Sequence, residues 1–298
     1  MPMPSDTKPA DFDLAAALAV IARAMPDEPL AGARLLAQGF DNVAVATVAR
    51  VFRFPRDETA GERLRQEAAL LALVHPRVDL TVPLLELHED PLFSAHSMIP
   101  GQALDGDIYL SLGQHQRDEL AEVLALFYAQ LHTIPLADAK AAGAGAAEPF
   151  PDPDDLLSQV LPLLTPAQQA WARTVTESMA DLPPDPVTVF SWFDGHGWNM
   201  AFDRQAGRLN GVFDFADAGI GGLHHDLIHT NLIHPDLTRR LAVRYSRLTG
   251  RDLDPRRMSV LTGMHRLFDL AQSHDDPDFG QLTRKLLDDW LSAPESRL

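Results

Sequence analysis

The sequence predicts an α+β fold in two parts, a small β-rich N-lobe over residues 1–99 and a larger, mainly helical C-lobe over residues 100–298. Short runs of β-branched and aromatic residues, separated by turn signals, fill the first part. Long stretches with helical spacing of apolar residues dominate the second. Between them Pro100-Gly101 breaks the chain.

Along the N-lobe, Asp13 to Met25 (DLAAALAVIARAM) reads as an Ala-rich helix stopped by Pro26. Arg34-Leu35-Leu36 is strand-like, and Gln38 to Asn42, containing Gly39 and Phe40, is a turn. Val43 to Arg50 and Val51 to Phe54 form two short antiparallel strands joined near Val48-Ala49-Arg50. Glu62 to Val74 has helical composition, with Leu64, Ala68 and Leu71 on one face. Leu80 to Leu87 and Phe93 to Ile99 are two further strands, divided by the turn signal His88-Glu89-Asp90-Pro91.

In the C-lobe, Gln116 to Thr133 is strongly amphipathic, and its Leu120, Val123, Leu124, Phe127 and Leu131 stripe is expected to pack in the core. Ala137 to Ala147 is low in complexity and reads as a mobile loop. Helices are expected over Asp154 to Leu164 and Pro166 to Met179, the second capped by Thr165 with Pro166 at its first position. Val187 to Ser191, Met200 to Phe202 and Leu209 to Phe215 read as strands. Helical segments then cover Asp226 to His234, Asp236 to Leu248, Pro255 to Ala271 and Asp278 to Leu291. No internal repeat is visible.

Composition narrows the function classes. A chain of 298 residues, 46% hydrophobic and 22% charged, can bury a sizeable core and is not of disordered type. Without cysteine, it has no disulfide, no Cys-ligated zinc and no thiol nucleophile. The N-terminus has no basic and apolar signal regions, and no apolar run approaches the roughly 20 residues of a membrane span. A cytoplasmic protein with no membrane partner is expected. The net charge of −17 argues against a broad nucleic-acid face. The acid surplus suits solubility or an acidic cleft for a cationic small molecule, and composition does not choose between them.

The chemistry concentrates in Asp194-Gly195-His196-Gly197-Trp198-Asn199, followed by Asp214 within Val212-Phe213-Asp214-Phe215. Asp-x-x-x-x-Asn and a later Asp in an apolar run form the arrangement a phosphoryl-transfer centre needs. One carboxylate can accept a hydroxyl proton. A carboxamide and a second carboxylate can hold Mg²⁺, all through the oxygen donors that this hard cation prefers. Upstream, Arg53 in a strand and Glu67 in the following helix can pair to orient nucleotide phosphates. Alternatively they are an edge-strand charge and a solvated acid. His224, His225, Asp226 and His229 resemble a metal cluster, with His225 and His229 one helical turn apart. Structural histidines are the plainer reading. No Gly-x-Ser-x-Gly elbow is present, so a serine hydrolase is excluded. Asp275 and Asp276, before the last helix, read as its N-terminal turn.

Taken in order, these pieces resemble the aminoglycoside and macrolide phosphotransferases, relatives of choline kinases and, more remotely, of protein kinases. The family motif His-Gly-Asp-x-His-x-x-Asn appears as Trp192 to Asn199, and its Asp-bearing strand motif as Gly211 to Gly221. Gly39-Phe40-Asp41-Asn42, Val51 to Pro55, Glu67 and Ile99-Pro100-Gly101 match the nucleotide loop, cation strand, helix acid and hinge. The resemblance spans about Leu35 to Leu248 and implies a bilobal protein-kinase-like fold using ATP or GTP with Mg²⁺.

The resemblance also implies roles: Asp194 as catalytic base, and Asn199 and Asp214 as metal ligands. Arg53, Glu67, Gly39, Phe40, Asn42, Ser97, Met98 and Ile99 fall on the nucleotide side, His196 and Asp226 support the loop, and Asp217, Asp275 and Asp276 are substrate candidates. The implied acceptor is a small molecule with a hydroxyl group, such as an aminoglycoside, a macrolide, a sugar or an amino alcohol. Three departures stand out: Trp192-Phe193 replaces His-Gly, the nucleotide loop has one glycine, and Arg53 replaces a lysine. The departures leave a second reading open, a nucleotide-binding pseudokinase that serves as a regulatory module.

Overall fold

A computed structural model describes residues 13–38, 41–277 and 279–296. Helix α1 (Leu14–Ala24) starts at Asp13, whose carboxylate accepts from the Ala15 and Ala16 N–H groups, and buries Ala17 and Ile21. Strands β1 (Arg34–Gln38), β2 (Asn42–Ala46) and β3 (Arg50–Pro55) then form a meander. Helix α2 (Glu58–Val74) follows, and strands β4 (Glu86–Glu89) and β5 (Leu92–Ser97) complete one antiparallel sheet in the order β1-β2-β3-β5-β4. Ile21, Val45, Phe52, Phe93 and Ala95 form the small core between α1 and this sheet.

The remainder is mainly helical: α3 (Gly106–Ser111), α4 (Gln114–Leu131), α5 (Leu136–Ala141), α6 (Pro153–Val160) and α7 (Pro166–Ala180). Two short ribbons interrupt them, β6 (Thr188–Ser191) paired with β9 (Gly219–Gly222), and β7 (Met200–Asp203) paired with β8 (Arg208–Val212). Helices α8 (Leu223–Leu227), α9 (Pro235–Thr249), α10 (Pro255–Ser273) and α11 (Phe279–Ser292) close the chain. Among the described residues no helix is long and apolar enough to cross a membrane.

Several expectations need correction. Asn42 is the first residue of β2, opposite Pro55, not part of a turn. Helix α2 begins at Glu58, four residues before the expected Glu62, because the Asp57 carboxylate caps it by accepting from the Ala60 N–H at 2.8 Å. Leu80 to Leu85 is not a sheet strand, since Pro83 cannot donate to a ladder. Only Thr81 bridges, to Gly211, and β4 starts at Glu86. His88 and Glu89 belong to β4 and not to the turn. Val123 faces solvent although the rest of the expected α4 stripe is buried.

Residues 137–147 are not a mobile loop. Ala139 is buried in α5, the Gly143 carbonyl accepts from Gln66, and Ala147 and Ile220 are joined backbone to backbone. Strand β8 ends at Val212, so Asp214 lies beyond the ladder and not in it. Asp226 lies inside α8 and not at its start, and the turn after it is a 3₁₀ helix over Ile228–Leu232.

The connection between sheet and helices is tightly packed. Gln102 and Phe202 exchange backbone hydrogen bonds of 3.0 and 2.8 Å. A Cβ on Gly101 would lie 2.5 Å from the Ala201 carbonyl carbon, so only glycine permits the chain to run this close to β7. Asp57→Ala should remove the cap of the helix that carries Glu67 and cost about 1 kcal/mol, read as a lower urea midpoint at unchanged slope.

Candidate active site

The turn after β6 places Asp194, and the 3₁₀ turn Gly197–Asn199 leads directly into β7. Their closeness is enforced locally. Asn199 Nδ2 donates to Asp194 Oδ2 at 2.6 Å and to the Asp194 carbonyl at 3.2 Å. His196 Nε2 lies 3.1 Å from Asp194 Oδ1. The two glycines make room for neighbours: a Cβ on Gly195 would strike the Tyr128 hydroxyl, and one on Gly197 the Leu104 carbonyl oxygen. Backbone pairing between Phe213 N–H and the Asn199 carbonyl, 3.0 Å, brings the Asp214 segment alongside.

Two residues here occupy left-handed backbone, Phe193 at φ 56° and Asp214 at φ 62°. Such conformations cost about 1–3 kcal/mol each and persist only where surroundings hold them. Phe193 N–H donates to Asp226 Oδ1 at 2.9 Å. The other Asp226 oxygen lies 2.8 Å from His132 Nε2, which also sits 3.2 Å from Ser191 Oγ. His132 Nδ1 in turn meets the Tyr245 hydroxyl at 2.8 Å. Asp214 is held from the other side: Trp192 Nε1–H donates to its carbonyl, and the Trp192 ring stacks on Phe215 at 5.7 Å.

Across the cleft, Arg53 on β3 points its Nη1 at both oxygens of Glu67 on α2, each 2.7 Å away. Glu67 Oε1 also accepts from the Phe215 N–H at 3.1 Å. Glu67 is therefore not a solvated helix acid but a buried link between β3 and the residue after Asp214.

Charge accumulates in this space. Burial pushes Asp214 up to about 6, with Glu67 and Asp194 adding to the rise against the pull of Arg53. Burial, then Asp194 and Asp214, pushes Asp217 up to about 7. Burial acts the same way on Asp194, but the His196 ring and the Asn199 amide outweigh it and hold that carboxyl below its ordinary range.

The donor set suits a hard divalent cation shared with phosphates. With Asn199 Nδ2 engaged by Asp194, the carboxamide oxygen and the Asp214 carboxylate are the groups that could ligate such a cation. Among the described residues no three His, Asp or Glu side chains form a metal cage by themselves. His224, His225, Asp226 and His229 do not converge on one point, and Asp226 is turned to the Phe193 N–H and His132. Instead, His224 Nδ1 pairs with Asp185 at 2.8 Å, and the His225 and His229 rings stack on each other.

Of the remaining sequence candidates, Ser97 ends β5 and Met98 and Ile99 follow it; Met98 N–H donates to the Ala49 carbonyl at 2.7 Å. Asn42 opens β2, while Gly39 and Phe40 lie outside the described residues. Asp275 is exposed beside His274, and Asp276 accepts from the Phe279 N–H ahead of α11, so both make turn contacts. Sequence reasoning missed His132, Tyr245 and the work of Trp192. The available signal was His132 itself, a polar residue that continues the buried face of α4 one turn beyond Tyr128.

Comparison with known proteins agrees with this geometry. The family model described as phosphotransferase enzyme family matches residues 32–261. The chain belongs to that family. It is accordingly an enzyme of phosphoryl transfer, and the family resemblance read from the motifs holds.

Solved structures share its kinase-like fold. A GDP complex of a point mutant of aminoglycoside 2'-phosphotransferase-IIIa superimposes with a TM-score of 0.78 at 21% identity, covering 94% of this chain and 97% of that one. A complex of APH(2")-IIia with GDP and kanamycin gives 0.75 at 20% identity, covering 93% and 98%. Macrolide 2'-phosphotransferase MphH from Brachybacterium faecium gives 0.66 at 19% identity, covering 92% and 98%. Comparison with curated protein sequences gave no match.

A cation bound at Asp214 competes with the proton that burial favours there. In the presence of ADP, Mg²⁺ affinity should therefore be highest with this carboxyl ionised and should weaken as pH falls through about 6. The loss should approach about tenfold per pH unit below that point, measured by calorimetric titration between pH 8 and 5.

Proposed function

We propose that this phosphotransferase moves the γ-phosphoryl group of ATP or GTP to a hydroxyl of a small molecule, with Mg²⁺. The nucleotide lies between residues 1–99 and 100–298, along Arg53, Asn42 and the Ser97–Ile99 hinge. The convergence of Asp194, Asn199 and Asp214, tied by Glu67 to Arg53, carries this reading.

Asp194 orients the acceptor hydroxyl and takes its proton. The acceptor oxygen forms a bond to the γ-phosphorus as the bond to the β-phosphate oxygen breaks, and the nucleoside diphosphate leaves with the electron pair. Asn199 and Asp214 are the residues that would hold Mg²⁺, which when bound neutralises phosphate charge. Arg53 offers its planar fork to the phosphates where a lysine would offer a point charge. His196 keeps Asp194 ionised, and Asp226 maintains the turn before it. Chemistry of this kind depends on positioning and charge neutralisation more than on covalent participation, and the ties on Asp194 and Asp214 provide positioning.

The acceptor belongs with the aminoglycosides and macrolides named for the structural neighbours, which would make antibiotic resistance one consequence of the activity. Asp217, half-buried and under the influence of Asp194 and Asp214, is suited to receive one ammonium group of a cationic acceptor. The alternative of a nucleotide-binding module without turnover is disfavoured by the intact carboxylate and carboxamide set. Trp192, which replaces the family histidine, still supplies a donor to the Asp214 carbonyl.

Asp214→Ala should lower Mg-nucleotide turnover by at least about 10²–10³-fold in a coupled assay against a verified acceptor. Full activity in that variant would contradict the assignment. Calorimetry that finds nucleotide binding indifferent to Mg²⁺, with no transfer to antibiotics, sugars or amino alcohols, would favour the module.

A further inference from the structure

Asp226 anchors the turn before Asp194, yet its side chain is fully buried, and among the described residues no Lys or Arg pairs with it directly. A buried carboxylate without a counter-charge is costly. Its partners are the Phe193 N–H at 2.9 Å and His132 Nε2 at 2.8 Å.

A positive charge stands further along the same chain of contacts. Arg251 Nη1 donates to the Tyr245 hydroxyl at 2.9 Å, and that hydroxyl meets His132 Nδ1 at 2.8 Å. Arg251 is half-buried, whereas Tyr245, His132 and Asp226 are all buried. Local structure aims the guanidinium inward. Gly250, in left-handed backbone at φ 69°, ends α9 with its N–H on the Ser246 carbonyl at 2.9 Å. Arg251 N–H then donates to Thr249 Oγ1 at 3.2 Å, and the Thr249 hydroxyl donates to the Tyr245 carbonyl at 2.8 Å. The chain is thereby turned back onto the helix that carries Tyr245.

The chemistry of the end groups gives this chain a direction. A guanidinium only donates, so the Tyr245 oxygen accepts from Arg251. An ionised carboxylate only accepts, so His132 Nε2 carries a proton toward Asp226, with Ser191 Oγ as a second acceptor at 3.2 Å. A second proton on His132 Nδ1 would set an imidazolium and a guanidinium against one phenol oxygen. With Nδ1 bare, the Tyr245 O–H donates to it, and every donor from Arg251 to Asp226 points the same way. Hydrogen bonds aligned in this manner polarise one another.

We propose that Arg251 is a positioning residue for phosphoryl transfer: through the Tyr245 hydroxyl it fixes the Nε2–H tautomer of His132 and acts as the remote counter-charge of Asp226. Asp226 can then hold the Phe193 N–H, and with it the left-handed backbone that sets Asp194. The kinetic consequence rests on the phosphotransferase reading above; the proton order does not.

The test uses the full chain labelled with ¹⁵N. Long-range ¹H–¹⁵N spectra of the histidine rings should show His132 protonated at Nε2 and bare at Nδ1. Arg251→Met keeps the aliphatic stem and removes both donor and charge. It should put a proton on Nδ1, speed hydrogen exchange of the Phe193 amide about tenfold and lower kcat for transfer from Mg-ATP about tenfold at unchanged nucleotide KM. Arg251→Lys, which retains a charge and a donor, should restore all three. Tyr245→Phe breaks the chain in its middle, so the double variant of Arg251→Met with Tyr245→Phe should be no worse than either alone. A proton on Nδ1 in the wild type, losses that add in the double variant, or a Phe193 amide unmoved by Arg251→Met would overturn the inference. If the ring and the amide respond as stated but the wild-type chain transfers no phosphoryl group, the phosphotransferase reading fails and the link from Arg251 to Asp226 stands.

Discussion

Glu67 is the residue on which the geometry of the cleft depends. Its buried carboxylate meets the Arg53 guanidinium of β3 and the N–H of Phe215 with the same oxygen, Oε1. A charge in that position needs partners, because an unpaired buried carboxylate is far more costly than a paired one. The requirement fixes three elements together: the strand that carries the cation, the helix that carries the acid and the turn that carries Asp214. Each would drift independently if the carboxylate were neutral or absent.

The second constraint is backbone strain just before Asp194 and at Asp214. Phe193 precedes Asp194 in left-handed backbone, and Asp214 is itself left-handed. Each is held by a different device, Asp226 with His132 for the first and the Trp192 indole for the second. The replacement of His-Gly by Trp192-Phe193 therefore has a physical account. The indole N–H supplies a donor to the Asp214 carbonyl, and the Asp226 carboxylate holds a conformation that glycine would adopt without help. The bulk of the indole is absorbed by stacking on Phe215 and edge-on packing against Phe127.

Much of the architecture was legible in the sequence because periodicity and caps are local. Thr165 and Pro166 announce α7, and the alternation through Val51 and Phe52 announces β3. The family resemblance followed from the order of short motifs. The errors have equally local causes. Composition marked residues 137–147 as low in complexity, yet their order comes from tertiary contacts with Gln66 and Ile220 that no window of sequence contains. Leu80 to Leu85 has strand composition, yet only Thr81 finds a strand partner, at Gly211.

Within the site, the residue types and spacing pointed to Asp194, Asn199 and Asp214, and the fold brings these side chains together. The ties from His132 and Tyr245 come from other elements and have no spacing signature. Asp275 and Asp276 show the opposite case, acids suggested by position in the chain whose contacts prove to be those of a turn.

The most direct test of this account is Glu67→Gln, which preserves shape and removes the charge joining Arg53 to the Asp214 turn. The account predicts a protein that remains folded, loses at least about 10²-fold in kcat and binds nucleotide with little response to Mg²⁺. Wild-type kcat and an undiminished Mg²⁺ response in that variant would contradict it.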